Sequence, residues 1–492
     1  MTCETSIYEF AKSGLEKSSS KIAIWFEGKS ITYFELFKKI DTIARHFFAL
    51  GVRPGSVVTL HLPNCPQTVM AIYAIAQLGG ICNLVHPLTP EPLLRENMAD
   101  TESEIVISHL PMTGKCVLTM DCLSAYEKDS KKKIEIPNQA SLAERCAFYL
   151  HSSGTTGKPK TVMLSHNAIN QCVRNTSEFF SNEDVTLSAL PISHIFGLTM
   201  DMHRSISMGS KLIQMSRWNS SDAVHLIRKH HVSAILAVPK MCYSLLSESS
   251  FSGPEVSQLK HCYVGGDTVD PQLIRDFDER VGQGHVLFPG FGMTETTINC
   301  VNRPEHYKAG SIGYPMRDTE IAVLGEDNEL HPNGEGELVI SSKTLMMGYL
   351  HDNVATENAM LRIEGKCWVR SGDLVCIDEA GFLFYKERLK NVIVHNGHKI
   401  NPGDVEHEIL KVAAVDTVCV VGVMNEHSHT EDVVAAVVLK CGTKKETAEY
   451  EIMDACANHL PKYSVPKYIR FCEALPVTTV GKLDRNRVKE FL

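Results

Sequence analysis

The sequence has neither a long apolar run nor a strong excess of charge. No stretch approaches the roughly 18 consecutive apolar residues that a membrane-spanning helix needs. Residues 1–14 lack the basic start and the apolar run of a signal peptide. The formal net charge is −9, with no long run of one sign, which argues against nonspecific nucleic-acid binding. From these absences we expect a cytoplasmic protein with no membrane span and no nucleic-acid partner.

Closely spaced cysteines are missing as well. The 16 cysteines are scattered from Cys3 to Cys472 without a C-x-x-C pair, and the 22 histidines are equally dispersed. Such spacing gives no pattern for a disulfide framework or a zinc site. We therefore expect reduced thiols and no zinc.

The composition that remains is that of an ordinary soluble globular protein, with 43% hydrophobic and 22% charged residues. A chain of 492 residues exceeds one ordinary hydrophobic core and fits roughly two to four lobes. Neither an internal repeat nor a low-complexity segment is apparent.

Helices and strands alternate in the first part of the chain. Thr32 and Glu35 form a capping-box pattern that opens a helix over residues 32–50. A strand at 57–62, a helix from Pro66 and a strand at 81–85 follow. This order predicts an α/β fold with a parallel sheet and helices on its faces, and we expect the alternation to continue to about residue 385.

The pattern changes after residue 391. Periodicity there predicts a helix, two strands and a second helix, which lie at 404–412, 417–423, 433–439 and 447–459. About one hundred residues of this kind suffice for a small α+β unit that folds alone. The polar stretch 386–390 separates this unit from the preceding chain and is a candidate hinge.

The strongest chemical motif is Tyr149-Leu-His-Ser-Ser-Gly-Thr-Thr-Gly-Lys-Pro-Lys160, which follows a strand-like apolar segment. Glycines let backbone N–H groups approach an anion, hydroxyls donate to oxygens and lysines neutralise charge, as a polyphosphate requires. It is not a Walker A loop, because Gly154 and Gly157 are too close and Pro159 follows Lys158. Alone, such a run also fits an ordinary surface loop.

This segment resembles the signature loop of the acyl-adenylate-forming superfamily, which includes acyl- and aryl-CoA synthetases, beetle luciferases and peptide-synthetase adenylation domains. Six later segments resemble further motifs of that superfamily, in the same order. They are Leu190-Pro-Ile-Ser-His-Ile-Phe-Gly197, Gly265-Gly-Asp-Thr-Val269, Gly290-Phe-Gly-Met-Thr-Glu295, Ser371-Gly-Asp373, Glu387-Arg-Leu-Lys390 and Pro476-Val-Thr-Thr-Val-Gly-Lys482.

The resemblance implies a large N-terminal domain of layered sheets with helices and a small mobile α+β C-terminal domain. The domain bounds it implies are 1–387 for the AMP-binding and acyl-pocket domain, 388–390 for the hinge and 391–492 for the lid. The hinge residue would be Lys390. Gly397 would line a tunnel for the pantetheine arm of coenzyme A.

The resemblance also implies roles around ATP. The phosphates would be held by Ser153, Gly154, Thr155, Thr156, Gly157 and Lys160. The adenine side would be formed by Gly266, Asp267, Gly290, Phe291 and Gly292. Asp373 and Arg388 would fix the ribose. The catalytic group would comprise Thr294 at the α-phosphate, Glu295 as the Mg²⁺ ligand, and Lys482 between the α-phosphate and the substrate carboxylate.

The acyl pocket implied by the resemblance is mostly apolar. It consists of His194, Phe196, Gly197, Val238, Gly265, Phe288 and Met293, together with Gly290. No cationic residue stands where it would receive a second carboxylate, which favours a medium-chain fatty acid or an aromatic acid. The reaction expected is MgATP-dependent formation of acyl-AMP and pyrophosphate, followed by acyl transfer to coenzyme A.

Alternatives remain open at this stage. The acyl acceptor could be the phosphopantetheine of a carrier protein, the chain could be a non-catalytic nucleotide-binding relative, or it could be a kinase-like phosphotransferase that yields ADP. At single positions, Thr294-Glu295 also fits an ordinary helix start, Gly372-Asp373 a turn, and His194 a packed side chain.

Overall fold

The computed structural model describes residues 4–113, 117–126, 134–152, 160–425, 430–477 and 483–492. The chain forms two compact units. The larger unit comprises Met1–Ile321, Val339–Arg370 and Gly381–Leu383, and the smaller comprises Ala322–Leu338, Ser371–Ala380 and Phe384–Leu492. The hinge expected at 388–390 stays a prediction.

The described strands are β1 Ile22–Phe26, β2 Lys29–Thr32, β3 Val57–His61, β4 Ile81–Leu84, β5 Ile105–Ser108, β6 Val117–Thr119, β7 Cys146–His151, β8 Thr161–Ser165, β9 Val185–Ser188, β10 Lys211–Gln214, β11 Ala234–Ala237, β12 His261–Val264, β13 Leu287–Met293, β14 Thr297–Val301, β15 Tyr314–Pro315, β16 Thr319–Leu324, β17 Leu330–His331, β18 Gly334–Ser342, β19 Gly348–Tyr349, β20 Met360–Ile363, β21 Lys366–Ile377, β22 Leu383–Arg388, β23 Ile393–His395, β24 His398–Ile400, β25 Val415–Asn425, β26 Thr430–Leu439 and β27 Tyr468–Cys472.

The described α-helices are α1 Ile7–Ser18, α2 Tyr33–Ala49, α3 Pro66–Gln77, α4 Glu91–Asp100, α5 Met120–Tyr126, α6 His166–Thr176, α7 Arg204–Met208, α8 Ser220–His230, α9 Pro239–Leu246, α10 Pro271–Val281, α11 Asn353–Ala359, α12 Pro402–Leu410, α13 Lys445–His459 and α14 Arg485–Phe491. None of the helices in the described part of the chain has both the length and the hydropathy needed to cross a bilayer.

Two sheets organise the larger unit. One has nine strands in the order β15-β14-β13-β12-β11-β9-β10-β1-β2, and its central strands from β13 to β1 run parallel. The other has seven strands in the order β19-β8-β7-β4-β3-β5-β6, with parallel pairing from β7 to β6. The predicted α/β class is confirmed.

The capping box at the start of α2 is confirmed. The Thr32 side chain accepts a hydrogen bond from the Glu35 backbone N–H, and the Glu35 carboxylate accepts one from the Thr32 N–H. Leu36, Ile40 and Ile43 are fully buried on one face of the helix, as the 3.6-residue period requires. Local sequence therefore determines both the start of this helix and its buried face.

The expected continuation of helix–strand alternation to about residue 385 is wrong. After α10, strands β13 to β22 follow with a single α-helix, α11, in the described chain. The β13–β14 and β20–β21 pairs are antiparallel, and adjacent antiparallel strands need only a short turn between them. The apolar segments in this region form strands, and the helices that we expected between them are, apart from α11, not found among the described residues.

The smaller unit contains a mixed three-stranded sheet and a separate hairpin. β25 and β26 pair antiparallel, whereas β26 and β27 pair parallel. α12 and α13 lie where the sequence predicts them, and buried residues of these helices and strands form one core that includes Val405, Val420 and Ile452. All three tryptophans, Trp25, Trp218 and Trp368, belong to the larger unit.

Candidate active site

Most of the predicted adenine-side and acyl-pocket residues follow the carboxyl ends of neighbouring parallel strands. Residues 194–197 follow β9, Val238 follows β11, residues 265–267 follow β12, and residues 290–293 end β13. These strands are consecutive in the sheet, in the order β13-β12-β11-β9. In open α/β sheets, ligands bind outside the carboxyl ends of the strands, so the fold brings these segments to a suitable edge.

Glycines allow this edge to pack closely. A Cβ atom on Gly265 would lie 3.2 Å from the Gly290 carbonyl oxygen and 3.7 Å from the Phe196 ring. A Cβ atom on Gly266, whose φ is +82°, would lie 3.7 Å from Val238. The Gly265–Gly266 segment therefore lies within contact distance of the three other segments, at Phe196, Val238 and Gly290.

The predicted pocket residues differ in exposure. His194, Phe196, Val238, Gly290 and Met293 are half-buried, as residues that line a cleft are. The rings of His194 and His86 lie 5.7 Å apart between centroids, and burial lowers the pKa of His86. His86 is therefore neutral at neutral pH.

Phe288 differs from the other predicted pocket residues. It is fully buried, and its ring centroid lies 5.5 Å from that of Tyr263 inside the core. The structure thus places Phe288 beneath the strand edge and leaves Met293 and Gly290 nearer the surface.

The motif 190–197, which contains the pocket residues His194 and Phe196, is called the acyl-pocket motif below. A π-helical segment, Gly197–His203, begins at its last residue and is buried throughout. Asp201 accepts a hydrogen bond from Ser188 Oγ at 3.1 Å. Arg204 donates to Thr186 Oγ1 at 2.9 Å. Both partners belong to β9, so buried polar contacts fix this segment against the strand from which the motif emerges.

Glu295 lies in the turn of a β-hairpin. β13 and β14 pair from Gly290↔Val301 to Met293↔Thr297, with Thr294 half-buried and Glu295 buried between them. Thr294-Glu295 is therefore not a helix start, and that structural alternative is excluded. Asp267 is exposed and Phe291 half-buried at the same strand edge.

Backbone hydrogen bonds join the two ends of the motif at 149–160, which is called the phosphate-loop motif below. His151 pairs with Thr161 across β7 and β8, and the Ser152 N–H donates to the Lys160 carbonyl at 3.0 Å. His151 Nε2 also lies 2.8 Å from Asn83 Oδ1, and burial lowers the pKa of His151 to about 4. A neutral, hydrogen-bonded histidine thus helps to fix the position of β7, the strand that leads into the motif.

Lys160 and Glu295 meet through a residue that the sequence did not single out, Tyr349. The Tyr349 hydroxyl donates to Glu295 Oε1 at 2.9 Å, and Lys160 Nζ lies 4.7 Å from the centroid of the Tyr349 ring. The Glu295 carbonyl accepts from the Met346 N–H at 2.7 Å. A predicted phosphate ligand and the predicted Mg²⁺ ligand are therefore joined through one aromatic side chain.

These residues fit a magnesium nucleotide. No cluster of three or more His, Cys, Asp and Glu side chains suitable for a metal occurs among the described residues. Mg²⁺ normally takes one or two carboxylates from the protein and the rest of its ligands from water and substrate phosphates. A single carboxylate beside a lysine matches that requirement.

The predicted ribose-binding pair lies within the smaller unit. Arg388 Nε contacts the buried Asp373 Oδ1 at 2.9 Å, and Arg388 also donates to the Ser371 carbonyl at 3.1 Å. The Ser371 hydroxyl accepts from the Asp373 N–H at 3.0 Å. Gly372 and Asp373 lie within strand β21, so the turn alternative is wrong.

The Lys390 and Gly397 positions also lie in the smaller unit, and both are exposed. Burial of part of its side chain, together with the charge of Arg388, lowers the pKa of Lys390. Asn396 and Gly397, with φ of +50° and +81°, connect β23 to β24. None of the atoms that the structure describes lies within 4 Å of a Cβ built on Gly397.

Six of the predicted site residues lie outside the described residues. They are Ser153, Gly154, Thr155, Thr156, Gly157 and Lys482. Tyr349 was missed because the local sequence Met346-Met347-Gly348-Tyr349 is apolar and carries no motif of hydroxyls or charges. Its pairing with Val162 on β8, a strand distant in sequence, places it beside Lys160.

Comparison with known proteins gives matches over nearly the whole chain. The family model for AMP-binding enzymes matches residues 11–350, and that for the AMP-binding enzyme C-terminal domain matches residues 404–482. A long-chain-fatty-acid–CoA ligase of Bacillus subtilis is 28% identical, over 96% of this chain and 91% of its own length. A 2-succinylbenzoate–CoA ligase of Listeria monocytogenes is 29% identical, over 96% of this chain and 97% of its own.

Solved structures share the fold. ATP-bound MatB from Rhodopseudomonas palustris superposes with a TM-score of 0.88 at 22% identity, over 99% of both chains. O-succinylbenzoate coenzyme A synthetase (MenE) from Bacillus subtilis, in complex with AMP, has a TM-score of 0.86 at 27% identity, over 98% of both chains. The sequence motifs, the arrangement of the strand edge and these matches agree, and the chain belongs to the AMP-binding enzyme family, within the acyl-adenylate-forming superfamily.

Proposed function

We propose that this protein is an AMP-forming acyl- or aryl-CoA ligase. It activates a carboxylic acid with MgATP to acyl-AMP and pyrophosphate, then transfers the acyl group to coenzyme A. The observation that carries the proposal is the contact of Tyr349 with both Lys160 and Glu295. It joins the end of the phosphate-loop motif to the hairpin that carries the predicted metal ligand.

The first half-reaction brings two anions together. A carboxylate oxygen of the acid attacks the α-phosphorus, a P–O bond forms, and the bond to the β-phosphate oxygen breaks to release pyrophosphate. Lys160, with the hydroxyls of Ser153, Thr155 and Thr156, would offset charge on the departing phosphates. Lys482 would do so at the carboxylate and α-phosphate. Mg²⁺, held by Glu295 when bound, would supply further charge neutralisation.

The remaining nucleotide contacts follow from the chemistry of the residues. The half-buried ring of Phe291 would stack on adenine, with Gly266, Asp267, Gly290 and Gly292 at its edge. Thr294 would contact the α-phosphate. Asp373 would accept hydrogen bonds from ribose hydroxyls, and Arg388 would hold the Asp373 carboxylate and donate to ribose oxygens.

The acid that we infer is a medium-chain fatty or an aromatic monocarboxylic acid. The half-buried side chains of the pocket motif are mostly apolar, as in small-molecule pockets generally.

The second half-reaction would use a different placement of the C-terminal lid, residues 391–492, about a hinge at 388–390. Lys390 would be the residue at which the backbone turns. The exposed Gly397 would let the pantetheine arm pass close to the main chain. Coenzyme A is the acceptor supported by the names of the curated relatives, and no described feature favours a carrier protein.

A pyrophosphate-release screen over aliphatic, aromatic and amino acids, with and without coenzyme A, tests the proposal. We expect AMP and pyrophosphate with medium-chain or aromatic acids, and a thioester when coenzyme A is present. ADP as product would indicate a phosphotransferase. Nucleotide binding without pyrophosphate release from any acid would indicate a non-catalytic relative.

The role of Lys482 gives a sharper test. Lys482→Ala should slow acyl-adenylate formation by about 10²–10³, the usual cost of one lost transition-state contact. Thioester formation from supplied acyl-adenylate should change far less, because this lysine would act only in the first half-reaction. Lys489→Ala, at an exposed position of helix α14, is the control. Equal losses of rate in both half-reactions would contradict the proposal that the C-terminal lid takes a different placement in each of them.

A further inference from the structure

The Tyr349 side chain contacts two oppositely charged residues, Lys160 and Glu295, which the proposed reaction needs independently. Lys160 must remain available to phosphates and Glu295 to a metal ion, if the proposed function is right. A lysine and a glutamate within reach of each other would pair, and each would then be less available. The described residues contain no ion pair between these two; the Tyr349 side chain contacts both instead.

The hydroxyl of Tyr349 fixes one oxygen of the glutamate. It donates to Glu295 Oε1 at 2.9 Å, and the described residues give Oε2 no hydrogen bond. The hydroxyl is the donor in this contact, because a carboxylate oxygen can only accept.

The ring of Tyr349 holds the lysine. Lys160 Nζ lies 4.7 Å from the ring centroid, within the range of a cation–π contact. Such a contact attracts the ammonium group without using its N–H donors in hydrogen bonds to another side chain. Within the described part of the chain, this leaves the three N–H donors of Lys160 available for phosphate oxygens.

The backbone of Tyr349 is itself fixed. Its N–H donates to Thr356 Oγ1 at 2.9 Å, and the residue pairs with Val162 on β8. The residue is only 8% exposed. A side chain held in this way can set the positions of its two charged neighbours instead of following them.

We propose that Tyr349 is a positioning residue that keeps Lys160 and Glu295 apart, leaving Glu295 Oε2 free to bind Mg²⁺ and the Lys160 ammonium free to bind nucleotide phosphates. The assignment rests on the proposed function, because it concerns the same nucleotide site. It adds a residue that acts through both the phosphate ligand and the metal ligand.

Calorimetric titration of the full-length protein with ATP, in excess Mg²⁺ and in EDTA, tests the assignment without depending on turnover. Tyr349→Phe keeps the ring and removes the hydroxyl, so MgATP affinity should fall about tenfold, the value of a hydrogen bond to a charged group. Affinity for ATP in EDTA should change less than about twofold by the same reasoning. Tyr349→Leu removes the ring as well and should weaken binding under both conditions.

Two further variants separate positioning from general stability. Tyr33→Phe removes another buried hydroxyl, which donates to the Ser205 and Ser210 carbonyls, and should lower stability without changing either affinity. In a Glu295→Gln background, Tyr349→Phe should have no further effect on the Mg²⁺-dependent part of binding.

In pyrophosphate release, Tyr349→Phe should raise the half-saturating Mg²⁺ concentration, with kcat at saturating Mg²⁺ within about threefold of wild type.

The outcomes distinguish the assignment from the proposed function. Wild-type-like MgATP affinity in Tyr349→Phe, with a wild-type protein that releases pyrophosphate, would overturn the assignment alone. A wild-type protein that binds no MgATP would overturn the proposed function and this assignment with it. Equal weakening by Tyr349→Phe with and without Mg²⁺ would show a structural role and would also overturn the assignment.

Discussion

Gly197, in the acyl-pocket motif, has no room for a side chain. Gly197 begins the buried π-helical segment that follows the motif. A Cβ atom there would lie 2.4 Å from the Pro191 carbonyl oxygen and 2.9 Å from that of Leu190. Because these are backbone atoms, no side-chain rotation can relieve the clash.

Gly197→Ala should therefore destabilise the protein by about 1–3 kcal/mol, the usual cost of overpacking, and should shift the pocket motif. Urea denaturation measures the first effect and the KM for the acid measures the second. Gly403→Ala is the control, because its Cβ atom would meet only the Asn401 side chain closely and alanine is favoured in helix α12. Equal stability of Gly197→Ala and wild type would contradict the predicted clash.

At this scale the sequence identifies residues with evident chemistry and misses those whose role comes from position. Lys160 and Glu295 carry charges within motifs, and both lie at one site in the structure. Tyr349 has no such motif, and its role depends on strand pairing with β8. Phe288 was expected in the acyl pocket but is fully buried beside Tyr263, because it lies deeper in β13 than Gly290 and Met293, which are nearer the carboxyl end of that strand.

Among the elements, the hairpin of β23 and β24 combines a clear sequence signal with an exposed turn. Asn396-Gly397 adopts positive φ at both positions, as a two-residue type I′ turn requires. The His398 ring stacks on Tyr463 at 4.1 Å between centroids, which ties the hairpin to the rest of the smaller unit. As far as the structure describes its surroundings, the backbone at Gly397 is open to a ligand.

Gly397→Ala should slow thioester formation from supplied acyl-adenylate more than it slows acyl-adenylate formation. The added methyl group would narrow the approach of the pantetheine arm, and the positive φ would add strain of roughly 1 kcal/mol. Gly442→Ala is a matched control, because Gly442 has φ of +86°, open surroundings and a place in the same unit. If both variants slowed both half-reactions alike, the tunnel role of Gly397 would be wrong.

Elements with strong local signals were predictable, and those defined by non-local pairing were not. The capping box and apolar stripe predict α2, and the Asn-Gly pair is a sufficient signal for the β23–β24 hairpin. Several strands from β14 to β22 have only two residues, and β14, β15, β17, β19 and β20 each have an antiparallel partner that their own periodicity does not identify. The expected alternation failed for that reason.

For the whole molecule, buried histidines link stability to pH. His61, His166 and His203 are fully buried in the larger unit, and burial lowers their pKa values to about 4, about 3 and about 3. They are neutral in the folded protein, whereas the unfolded chain protonates them near pH 6.5. Between those pH values the unfolded state binds more protons, so stability must fall as pH falls.

We expect the free energy of unfolding to fall as pH is lowered from about 6.5 to about 4, by up to about 1.4 kcal/mol per pH unit for each such histidine. Urea denaturation followed by circular dichroism across that range measures the slope. His166→Gln should reduce the slope, and His351→Gln, whose side chain is 61% exposed, should not. A slope unchanged by His166→Gln would contradict this linkage.

The distribution of tryptophan between the units has a practical consequence. Trp25, Trp218 and Trp368 all belong to the larger unit, so intrinsic indole emission reports the unfolding of that unit. A single indole introduced at Phe471, in a background that lacks the natural three, would give the smaller unit an optical signal of its own. The two emission signals would then show whether the units lose structure together or in sequence during denaturation.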